Sequence, residues 1–69
     1  MNNKMVLLKS KSRGGYTPQT FEGEIKFIND EYIRLHNVKV TNLFSEFEFM
    51  LDELDVELKI LEDDSLKIL

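Results

Sequence analysis

Sixty-nine residues make one domain, and a chain this short buries only about 60% of the surface its unfolded form exposes, so a lone copy is expected to be marginally stable. With no cysteine and a single histidine, His36, the chain has no disulfide or thiolate zinc site to brace it, and self-association is the expected support. The net charge of −4 is unevenly placed: residues 1–20 hold Lys4, Lys9, Lys11 and Arg13 and no acid, while residues 38–69 hold nine acids against Lys39, Lys59 and Lys67, a balance of −6.

In chain order, Met5–Ser10 reads as a first strand around "VLL". Its apolar run, Met5 to Leu8, is too short for a signal-peptide core or a spanning helix, which points to a cytosolic protein with no membrane segment. "KSKSRGGYTPQT" follows, and Gly14, Gly15 and Pro18 break regular structure, so residues 11–19 are expected to form a long, flexible first loop.

From Thr20 the alternation is clean. Phe21, Gly23, Ile25 and Phe27 fall on one side and Glu22, Glu24 and Lys26 on the other, the period-two pattern of a half-buried strand. Asn29-Asp30-Glu31 supplies the corner, because Asn and Asp bond their own backbone in turns. Tyr32 to Val40 is the return strand. Its apolar parity shifts between Leu35 and Val38, which predicts a bulge near His36-Asn37.

"NLFSEFEFMLDEL", residues 42–54, reads two ways. A helix with "SEFE" as its capping box would leave Phe49 off the apolar stripe; a strand puts Phe47, Phe49 and Leu51 together and makes "LDEL" a short turn. The strand is preferred. "DVELKIL" then reads as another strand, "EDDS" as a turn and "LKIL" as a short last strand.

The hairpin "F-x-G-x-I-x-x-I-N" with its return "Y-I-R-L-H-N-V" resembles the Sm-like fold, a five-stranded SH3-like small barrel. The resemblance covers residues 20–38 well and 45–61 loosely. It implies that Gly23 sits where the second strand bends to close the barrel, as expected of a glycine inside a strand. The expected fold class is therefore all-β, a five-stranded SH3-like (Sm-like) barrel with a long first loop; the alternative is α+β with a helix at 42–54. The resemblance also implies ring assembly through the fourth and fifth strands, with Val56, Leu58 and Ile60 near the subunit contact, and RNA or single-stranded nucleic acid as ligand. Three features depart from the family pattern: no N-terminal helix precedes "MVLL", the first loop is longer, and "FEFML" replaces the bacterial chaperone's Tyr-Lys-His signature.

No nucleophile–histidine–acid motif surrounds His36, and "RGGY" lacks the lysine and helix start of a phosphate loop, so neither an enzyme nor a cofactor is expected. Two binding readings remain. In the first, Lys9, Lys11 and Arg13 contact phosphates and Tyr16 stacks on a base, while the Sm-like resemblance implies that Asn29, Asp30, His36 and Asn37 line a nucleotide pocket. In the second, a small acidic accessory or inhibitory protein of phage or mobile-element type uses Glu46, Glu48, Asp52 and Glu53 against a basic protein surface. Phe44, Phe47, Phe49 and Met50 are expected in the core.

Overall fold

The computed structural model describes residues 4–11, 18–63 and 65–69. Within them the alternating runs become strands: β1 (Met5–Lys9), β2 (Gln19–Ile28), β3 (Tyr32–Asn42), β4 (Glu48–Glu57) and β5 (Lys67–Ile68), with one 3-10 turn at Leu58–Ile60. They form a single antiparallel sheet in the order β4-β3-β2-β1-β5. This is the five-stranded small-barrel class expected. No helix forms over 42–54. Among the described residues no helix is long and apolar enough to cross a membrane.

The core comes from the inward positions of four strands. Val6 and Leu8, Phe21, Ile33 and Leu35, Val38 and Val40, and Val56 are all buried, joined by Leu61 beyond the 3-10 turn. Fully burying a side chain of this kind contributes about 1.5–3 kcal/mol, so these residues supply the main drive to fold. The end of the chain closes along β1. Ser10 bridges Leu61, the Glu62 amide donates to the Lys9 carbonyl at 3.0 Å, and Val6 and Leu7 pair with Ile68 and Lys67.

Two bulges of opposite placement bend the β2–β3 hairpin. Between Glu22↔Lys39 and Glu24↔His36 the extra residue lies on β3, where Asn37 adopts φ 53°. This is the bulge predicted near His36-Asn37. It sits over Gly23, where a Cβ would come within 3.0 Å of the His36 carbonyl oxygen and 3.4 Å of Val38 Cα. Glycine is required by close approach. Between Ile25↔Leu35 and Phe27↔Arg34 the extra residue is Lys26 on β2. That insertion corrects one sequence expectation. Phe27 leaves the side it shares with Phe21 and Ile25 in a regular strand and stands opposite Arg34, with its ring 6.0 Å from Tyr32.

A second correction concerns "LDEL" and "DVELKIL". No turn interrupts residues 51–54, and β4 runs through them to Glu57. Leu58–Ile60 then coils into the 3-10 turn, held from outside by the Leu58 amide on the Glu31 carbonyl (2.8 Å) and the Lys11 amide on the Ile60 carbonyl (2.7 Å).

Candidate interaction surface

The β3–β4 hairpin forms one margin of the sheet: β3 spans 11 residues and β4 10, with β4 paired to β3 and lying last in the strand order. Its turn is built by Asn42, whose Oδ1 accepts from the Phe44 and Ser45 amides at 3.0 Å each while its own amide donates to the Phe47 carbonyl. Glu46 takes φ 59° to complete it. At this tip the apolar side chains stand exposed, with the Phe47 and Phe49 rings 6.1 Å apart. Phe44 is 78% exposed, Phe47 63% and Met50 62%, with Phe49 also exposed. The sequence expectation that these four enter the core is thus corrected. A one-dimensional pattern does assign Phe47, Phe49 and Leu51 to one face, but it cannot reveal that β4 lies at the margin of the sheet.

Six carboxylates and no cation lie between Glu46 and Glu57. Cations from flanking elements meet some of them across the outer face. Arg34 Nε donates to Asp55 Oδ1 at 2.8 Å and Nη2 to Oδ2 at 3.2 Å; Glu53 stands 3.6 Å from the same guanidinium. Lys39 reaches Glu48 at 3.8 Å and Lys59 reaches Glu57 at 3.2 Å. Three cations against six carboxylates leave an excess of three negative charges beside the exposed aromatics. The hydrogen bond from Arg34 holds the Asp55 carboxyl below its ordinary value, and the same bond with Asp55 raises the guanidinium. Arg34 also lies 5.6 Å over the Tyr32 ring.

The residues proposed for nucleic acid fall in separate places. Lys9 lies 3.7 Å from Glu62. Lys11 is exposed and meets the 3-10 turn from one side, while the Asn29–Glu31 corner meets it from the other, so these two come to the same end of the barrel. Asn29 Oδ1 is occupied within its own turn by the Glu31 and Tyr32 amides, at 2.8 and 2.9 Å; Asp30 is exposed. His36 and exposed Asn37 lie instead at the mid-sheet bulge, His36 half-buried between Glu24 on β2 and Glu53 on β4. Arg13 and Tyr16 lie outside the described residues. Of the residues expected at a subunit contact, Val56 is buried and Leu58 and Ile60 are partly buried against the core.

A groove of about 450 Å3 crosses the outer face between Leu7, Thr20, Leu43 and Lys67, with the Lys9–Glu62 pair on its wall. Another concavity, of about 370 Å3, opens at the barrel mouth between Ile28, Leu58 and Leu66. Among the described residues no three His, Asp or Glu side chains converge closely enough to hold a metal ion. Comparison of the chain with protein-family models, curated proteins and solved structures finds no match.

Proposed function

We propose that this chain is a non-enzymatic binding module that captures a basic protein partner on the ridge formed by β4 and the turn before it. The observation that carries the reading is the coincidence of four exposed large apolar side chains, Phe44, Phe47, Phe49 and Met50, with the excess carboxylates of residues 46–57. An exposed apolar cluster rimmed by charge of one sign marks an interaction site for a partner of the opposite sign. The nucleic-acid reading draws less support. Lys9, Arg34, Lys39 and Lys59 all lie within 4 Å of a carboxylate, and a polyanion would have to displace those acids to gain its phosphate contacts.

Fluorescence anisotropy with two labelled probes separates these readings. A deca-lysine peptide binds in a salt-sensitive manner, and joint reversal of Glu46, Glu48, Asp52 and Glu53 to lysine abolishes the signal. Tight binding of a short single-stranded oligonucleotide, with none of the peptide, overturns the proposal.

A further inference from the structure

Resting on the basic-partner reading above, we infer that the partner enters as an extended segment that adds a strand to the free edge of β4, its cations opposite the outer carboxylates. Among the described residues β4 is the outermost strand and pairs with β3 alone, so a row of its backbone N–H and C=O groups stands open along this ten-residue strand. The opposite edge offers far less, because β5 is two residues long.

The register with β3 fixes the two faces of this edge. Phe49, Leu51, Leu54 and Val56 lie opposite Val40, Val38, Leu35 and Ile33 on the core side; Glu48, Glu53, Asp55 and Glu57 lie opposite Thr41, His36, Arg34 and Tyr32 on the outer side. Along Glu53–Glu57 an incoming strand therefore meets acidic and apolar positions in alternation, while Met50, opposite Lys39, interrupts the acidic side nearer the turn. Its best match alternates apolar residues with lysine or arginine, since opposite charges across a strand pair stabilise it.

A second copy of β4 fits poorly. The full-length antiparallel register that matches core side to core side pairs Phe49 with Val56 and Leu51 with Leu54. The same register sets Glu48 against Glu57 and Asp52 against Glu53, each twice by symmetry. Shorter registers centred on Met50 or Asp55 also oppose acids, Glu48 with Asp52 in one and Glu53 with Glu57 in the other. Like charges directly opposite destabilise the pair. The same carboxylates that repel a second β4 attract a cationic strand.

The test uses the intact chain and the heptapeptide Lys-Val-Lys-Val-Lys-Val-Lys, aimed at Glu53–Glu57, with two N-methylated versions, one blocked at odd amides and one at even. Strand addition hydrogen-bonds only one set, so one version binds roughly tenfold or more weakly and the other keeps its affinity. Equal binding by all three peptides overturns strand addition while leaving the basic-partner reading intact. Binding by none of them, together with silence toward deca-lysine, removes both. A doubled mass in light scattering without peptide, with the β4 amides protected from exchange, assigns the edge to a second copy and overturns the inference.

Discussion

Gly23 on β2 lies directly beneath the carbonyl oxygen of His36 on β3, so close that a Cβ on Gly23 would stand 3.0 Å from that oxygen. The contact is with backbone at a bulge, so it cannot be relieved by swinging a side chain away. Replacing Gly23 with alanine gains about 0.5–1 kcal/mol from lower unfolded-state entropy, but the overpacking costs about 1–3 kcal/mol. The clash wins. Urea unfolding is expected to show a lower midpoint for Gly23→Ala at unchanged slope.

Asn37 supplies the other half of that bulge with φ 53°. Asparagine tolerates this region and glycine does so freely, whereas a β-branched residue does not. Asn37→Gly is expected to leave thermal stability nearly unchanged, and Asn37→Val to cost about 1–2 kcal/mol. Equal melting temperatures for the two variants would show that the backbone there is not constrained.

Asn29 and Asn42 play the same part at opposite ends of β3, each taking two backbone amides on one side-chain oxygen. Replacing either with alanine returns those amides to solvent, at a cost of about 0.5–2 kcal/mol by analogy with a lost helix cap. Aspartate at either position retains the acceptor and most of the stability. Denaturant titration of the four variants checks this.

The Arg34–Asp55 pair sets a pH dependence of definite sign. Asp55 is held below its ordinary value of 3.8 by the hydrogen bond from Arg34. A carboxyl depressed in the folded state adds stability above its unfolded value and loses it as pH falls through the folded one. The pair is exposed, so the effect on overall stability is small. The sharper readout is NMR titration of the Asp55 carboxyl, which is expected below the other aspartates and to return toward them in Arg34→Gln.

The hairpin was legible because its code is local. Period-two alternation, one glycine and an Asn-Asp corner place β2 and β3, and the parity slip between Leu35 and Val38 places the bulge. The Lys26 bulge left no such mark, since Phe27 continues a regular alternation and only the register with Arg34 reveals its turn outward. "VELKIL" misled for a related reason. Val56, Leu58 and Ile60 alternate as in a strand, yet the last two coil, with the Leu58 amide donating to the Glu31 carbonyl and the Ile60 carbonyl accepting from the Lys11 amide, residues far away in sequence. The candidate surface was legible in its charges and hidden in its aromatics, because exposure of Phe44 and Phe47 depends on β4 lying at the margin of the sheet.

The central claim is that the β4 ridge is where this chain meets its partner. The most direct measurement is a two-dimensional NMR titration of the labelled protein with deca-lysine at about 20 mM salt, repeated at about 300 mM, where screening lengths fall well below those at low salt. Amide shifts confined to residues 46–57 and their β3 neighbours, fading at the higher salt, are the predicted result. Shifts centred instead on Lys9, Lys11 and the Asn29–Asp30 corner, or none at either salt, would contradict it.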